Sequence, residues 1–136
     1  MKRSLILSFT ILMVMFAFSC NAQDNSKKNV KTSVSDKVEV YYFHLTARCV
    51  TCQTVESEAK ADIQALYGGK VSFQSINLDD ASSKEIAEKL KVPGQALLIV
   101  KGKQVQNITN EGFMYARKDP AKFKSVIKEK IDALLK

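Results

Sequence analysis

At 136 residues the chain is long enough for one domain with a single hydrophobic core. Its 21 Lys and Arg against 14 Asp and Glu give a formal charge of +7. That excess is spread over the chain with no interleaved aromatic stripe, which argues against a nucleic-acid-binding protein.

Lys2 and Arg3 precede an uncharged apolar run over residues 5–18. This reads as the charged region and apolar region of an export signal, short for a membrane span, with a membrane helix as the competing reading. The run ends in Ala17-Phe18-Ser19-Cys20-Asn21-Ala22. Two cleavages fit. Ala17 to Cys20 resembles the lipobox of bacterial lipoproteins, although Ala17 stands where Leu is usual and Phe18 is bulky. Cys20-Asn21-Ala22 alternatively offers a small-x-small site before Gln23. Three cysteines are odd in an exported protein, and lipidation of Cys20 would leave Cys49 and Cys52 as a self-contained pair. The expectation is a signal peptide of lipoprotein type over residues 1–20 and a bacterial periplasmic location. The N-terminal lipid on Cys20 would be the membrane anchor.

Residues 21–36, rich in Asn, Ser, Lys and Thr, read as a flexible tether. A domain of residues 37–136 follows. V-E-V-Y-Y-F-H at 38–44 is an apolar, β-forming run and reads as a buried strand. After a short connection, a helix is predicted over 50–67, with Val55, Ala59, Ile63 and Leu66 on one face and Gly68-Gly69 ending it. Residues 71–78 alternate as a second strand. Ser82 and Glu85 form a capping-box signature for a helix carrying Ile86, Ala87 and Leu90, which stops before Val92-Pro93-Gly94. Residues 96–100 read as a buried strand, and Lys101-Gly102-Lys103 turns it into a hairpin with 104–108. Residues 110–118 read as irregular or a short helical turn. Asp119-Pro120 starts a final helix that buries Phe123, Val126, Ile127, Ile131, Leu134 and Leu135.

The chemistry lies at the start of the first helix. Cys49 and Cys52 are three residues apart, so both sulfurs fall on one face of the first helical turn. The unpaired N–H groups and the positive dipole end there favour a thiolate on Cys49, and the adjacent Arg48 adds positive charge. Cys49 reads as the nucleophile and Cys52 as the resolving thiol. A static disulfide or half of a metal site are the competing readings. A closed zinc site needs four ligands, yet neither Cys nor His follows Cys52. Gln53 after the second cysteine excludes haem attachment. His44, the sole histidine, reads as a strand-end residue before it reads as a base or ligand.

The order β-α-β, α, β-hairpin, α, with C-x-x-C opening the first helix, resembles the thioredoxin fold over residues 37–136. The resemblance implies a three-layer α/β/α domain with a four-stranded mixed sheet in the order 4-3-1-2, the third strand antiparallel to the rest. Thioredoxins place Trp before the first cysteine, Gly-Pro between the two and a buried Asp six residues upstream. Here those positions hold Arg48, Val50-Thr51 and Phe43. Pro93 is the candidate by identity for the cis-proline that faces the cysteines, although counting back from the strand at 97–100 lands nearer Gln95.

A narrower resemblance is carried by Y-Y-F-H-L-T-A-R-C-V-T-C-Q-T-V-E, S-I-N-L-D, G-Q-A-L-L-I-V and T-N-E-G-F-M-Y-A-R. Together they are similar to the nitrophenyl compound nitroreductase subunit ArsF family, a thioredoxin-like group of exported bacterial proteins. That resemblance implies association with a nitroreductase-type system. There is no G-x-G-x-x-G, and no cofactor is expected in this chain. Two functions follow. One is an exported thiol–disulfide oxidoreductase acting on protein thiols and disulfides. The other is a thioredoxin-fold redox or binding subunit serving one dedicated redox partner.

Overall fold

A computed structural model describes residues 36–136. The signal peptide and the lipidation at Cys20 expected from the sequence, with residues 21–35 of the expected tether, lie outside the described residues.

The strand at the centre is β1, Val38–His44, buried along almost its whole length. Val38, Val40 and Tyr42 face one side of the sheet, and Tyr41 and Phe43 face the other. A strand that is apolar on both faces must be covered on both. The helix α1, Val50–Tyr67, crosses over one face and delivers β2, Ser72–Asn77, parallel to β1. Gly68 closes α1 with φ +56°, a left-handed backbone suited to glycine. The helix α2, Lys84–Lys89, leads to β3, Ala96–Lys101, antiparallel to β1. A tight turn at Gly102 pairs β4, Gln104–Asn107, back onto β3. Two helices finish the chain: α3, Thr109–Tyr115, and α4, Pro120–Leu135.

The sheet order is β2-β1-β3-β4. This is the order and orientation that the thioredoxin resemblance implies, with β3 running against both its neighbours. Val55, Ala59 and Ile63 of α1 pack with Phe123, Ile127, Ile131 and Leu134 of α4 over one face. On the other face Ile86, Ala87 and Leu90 cover Phe43, Leu98 and Val100. The result is three layers, with β1 and β3 in the middle.

Several local details differ from expectation. The Ser82–Glu85 capping box does not form. Ala81–Ser83 is already a 3-10 turn, so α2 starts from a backbone that is helical at Ser83, whose hydroxyl donates to the Asp80 carbonyl at 2.7 Å. The end of α2 is set by Lys91, at φ +54°. Its N–H bonds the Glu88 carbonyl, and the Val92 N–H reaches back to Ala87. This is a Schellman closure with lysine in the left-handed position that glycine usually takes. Leu135 is 45% exposed and Val126 only half-buried, because Phe123, Ile127, Ile131 and Leu134 already complete the buried stripe of α4.

The segment after β4 is a true helix. Asn107 Oδ1 accepts from the Thr109 N–H and hydroxyl at 3.0 and 2.6 Å. Thr109 Oγ1 in turn accepts from the Leu97 N–H at 2.9 Å, tying α3 to β3. Gly112 lets α3 lie close on α1: a Cβ there would sit 3.1 Å from Val55 Cγ1. This approach brings the end of α3 beside the start of α1.

Candidate functional site

The loop before the cysteines is held from below by the end of β2. The Thr46 N–H donates to Asp79 Oδ2 at 2.7 Å, and Asn77 Nδ2 donates to Thr46 Oγ1 at 2.9 Å. The Leu78 N–H bonds the His44 carbonyl at 2.7 Å. The Thr46 backbone bond, first among its causes, holds the Asp79 carboxyl below its usual range. S-I-N-L-D thus anchors the turn that presents C-x-x-C.

Cys49 is the N-cap of α1, in extended backbone at φ −74°, ψ 165°. Its sulfur accepts from the Cys52 N–H at 3.4 Å, in the way an oxygen side chain usually caps a helix. The two sulfurs are 2.8 Å apart, close enough to share a proton and to close as a disulfide. Their surroundings differ. Cys49 is exposed, whereas Cys52 is 4% exposed. The Cys52 thiol, and after it the backbone N–H groups of the first turn, pull the Cys49 thiol below the ordinary range. Burial pushes the Cys52 thiol up, and its bond to Cys49 pushes it further the same way. The two shifts run in opposite directions, so thiolate character is favoured on Cys49 and the proton on Cys52.

Two other side chains brace Cys52. Tyr42, fully buried, donates to the Cys52 carbonyl at 2.9 Å. Its own phenol is pushed up to about 12 by burial, so it stays a donor. Gln95, just before β3, places Oε1 3.7 Å from the Cys52 sulfur. An amide suits this place in either protonation state. Its oxygen accepts from a thiol, and its NH2 can donate to a thiolate.

The expected supporting residues fall differently. Arg48 pairs with Glu56, two turns along α1, so its charge is spent there and is not aimed at Cys49. His44 is buried at the end of β1, with Nδ1 against the Leu45 carbonyl at 2.9 Å and its ring beside Tyr42. It touches neither sulfur within hydrogen-bond distance. Pro93 is not cis: no cis peptide bond occurs among the described residues. It is exposed and lines a shallow depression with Leu78, Ala87 and Lys91. Gln95 is the residue from that loop which meets the cysteines, as the count back from β3 indicated. Phe43 is fully buried against the α2 layer, so no carboxylate stands at that point of β1. Among the described residues, no group of three or more His, Cys, Asp or Glu side chains is gathered as a metal site.

Sequence reading missed Tyr42 and Arg117 as site residues. Tyr42 was hidden in a run where every residue reads as core. Arg117, from the α3–α4 connection, reaches Thr51 between the cysteines, and nothing local in the sequence marks it.

Fold and site together define a thioredoxin-like α/β domain with a C-x-x-C dithiol at the start of its first helix. No protein-family model matches the chain, and no curated protein matches it. Among solved structures it is similar to mitochondrial thioredoxin 3 from Saccharomyces cerevisiae in its oxidized form. The identity is 21% and the TM-score 0.45, over 70% of this chain and 79% of that one. It is also similar to a malarial protein, at 22% identity and a TM-score of 0.46, over 65% of this chain and 96% of that one. The fold itself rests on the strand order and orientation already described.

Proposed function

We propose that the chain is an exported thiol–disulfide oxidoreductase. The observation that carries this reading is the asymmetry of the pair: an exposed Cys49 with a lowered pKa, 2.8 Å from a buried Cys52 with a raised one. A structural staple has no use for that difference. The Cys49 thiolate attacks one sulfur of a partner disulfide, and the partner's other sulfur leaves as a thiolate. Cys52 then attacks the Cys49 sulfur of the mixed disulfide, giving its proton to one departing partner thiolate while water protonates the other. The products are the Cys49–Cys52 disulfide and two partner thiols. Oxidation of a partner dithiol follows the same steps backward.

A redox titration tests the reading directly. In buffers of graded dithiol–disulfide ratio, the pair should interconvert in one two-electron transition. Structural disulfides in secreted proteins have potentials below about −300 mV. A pair that stays closed down to such potentials would be a staple, and the exchange reading would fail.

A second reading deepens the first. The four segments that resemble the ArsF family meet at the cysteines: Asp79 holds the loop, Gln95 meets Cys52 and Arg117 meets Thr51. Such convergence supports a redox subunit built for one dedicated partner, as in a nitroreductase-type system. Residues 1–19 are proposed to be removed on export, with lipid on Cys20 holding the protein to the membrane. Several acyl chains anchor firmly where one binds only marginally. Mass spectrometry of the native protein should find an N-terminal, acylated Cys20. An unmodified N-terminus at Gln23 would sink the lipoprotein claim and leave export standing.

A further inference from the structure

A second arginine stands at the dithiol, and its charge is not spent. Arg117 Nη1 donates to Thr51 Oγ1 at 3.4 Å, across 66 residues of sequence. Thr51 lies between the two cysteines. The backbone that carries Arg117 is fixed, because Ala116 is buried and the Asp119 N–H bonds the Tyr115 carbonyl at 2.8 Å. The close packing of Gly112 on Val55 sets the distance between the two helices.

Arg48 is neutralised by Glu56. Arg117 is exposed and makes no ion pair among the described residues. Asp119, two residues on, is occupied in capping α4, accepting from the Lys122 N–H at 2.9 Å. The side-chain and backbone bonds that hold the Cys49 sulfur come from its own helical turn. The Arg117 charge is therefore left to act on whatever approaches. Two residues close in sequence to this contact carry exposed apolar side chains. Val50, directly after Cys49, is 66% exposed, and Met114, one turn before Arg117, is 57% exposed.

We infer that Arg117, with Val50 and Met114, forms a recognition rim for a protein partner whose reacting cysteine is flanked by an acidic residue in an apolar setting. The inference rests on the exchange reading above and adds to it the chemistry of the partner. The cation meets the carboxylate while Val50 and Met114 cover the neighbouring apolar side chain. A charge at the rim of a contact acts chiefly on encounter and on the choice between partners.

The test uses disulfide-linked dimers of one short peptide in which the residue after Cys is Asp, Asn or Lys. Each is mixed with the prereduced protein, and the rate is divided by that with free dithiothreitol to remove intrinsic reactivity. Wild type should prefer the Asp peptide to the Asn peptide, and the Asn peptide to the Lys peptide. Arg117→Gln should lower the Asp-to-Asn ratio about two- to fivefold, the range expected of one exposed charge pair. Arg117→Lys should keep most of the ratio, and 0.5 M salt should compress it toward one, since the Debye length is then on the order of 4 Å. A ratio that Arg117→Gln leaves unchanged would overturn the inference, including the case where all three rates fall together. If folded wild type reacts with none of the peptides, the exchange reading has itself failed, a result distinct from exchange without charge preference.

Discussion

Replacing Cys52 with Ser should give a protein that captures its partner and holds it. Cys49 remains exposed at the N-cap, with the backbone N–H groups of the first turn still aimed at its sulfur. It attacks as before, but the mixed disulfide has lost the neighbour that resolves it. That neighbour stands 2.8 Å away in the native protein. Groups so placed react with effective concentrations far beyond any reached in solution, so the adduct should live at least on the order of a thousandfold longer. Cys49→Ser should trap almost nothing, since the remaining sulfur is buried and its thiol is raised. Wild type should also trap little, because resolution is fast. Non-reducing gels of the three proteins, followed by identification of shifted bands, decide the matter. A ladder of adducts indicates a general oxidoreductase, and one discrete band a dedicated redox partner. A folded Cys52→Ser protein with no adduct at all would mean that the pair is a structural staple.

The second large effect is in the pH dependence of alkylation. A lowered pKa keeps the thiolate populated at more acidic pH, so Cys49 should be labelled first, at a pH where Cys52 is still protonated. The main cause at Cys49 is the bond from the Cys52 thiol. Cys52→Ala should therefore move the Cys49 profile upward, toward the ordinary thiol value of about 8.5. Below the midpoint, each unit of that movement costs a factor of ten in thiolate. Cys52→Ser, which keeps a hydroxyl donor, should move it less. Arg48→Gln should leave the profile close to the native one, because that guanidinium is engaged by Glu56. Peptide mapping after brief labelling across a pH series measures all four proteins. Equal labelling, or Cys52 first, would reverse the assigned roles. A large upward movement for Arg48→Gln would restore the influence on Cys49 that the Glu56 pairing removes.

The bounds of β1 and α1 were legible in the sequence because the forces that set them are local. An unbroken apolar run, a 3.6-residue repeat of Val55, Ala59 and Ile63, and glycines at the stop all act within a turn or two of chain. The same holds for the dithiol: three residues at a helix start place two sulfurs together whatever surrounds them. Local reading failed where two local solutions compete. Ser82 and Ser83 could each begin α2, and the 3-10 turn selected Ser83.

Which side chains surround the pair was decided by pairing and packing that local backbone preference does not set. Arg48 could have faced Cys49, but Glu56, two turns along α1, takes its charge. Pro93 had the identity of a site residue, but the β1–β3 register brings Gln95 to Cys52, 43 residues away. Arg117 reaches Thr51 only because Gly112 lets α3 settle onto α1. The sequence by itself determined most of the elements, their order and the placing of the cysteine pair, since these follow from backbone preference and apolar periodicity. Which side chains surround the pair was left to the tertiary structure. Those distances depend on strand register and helix packing, and no short stretch of chain contains either.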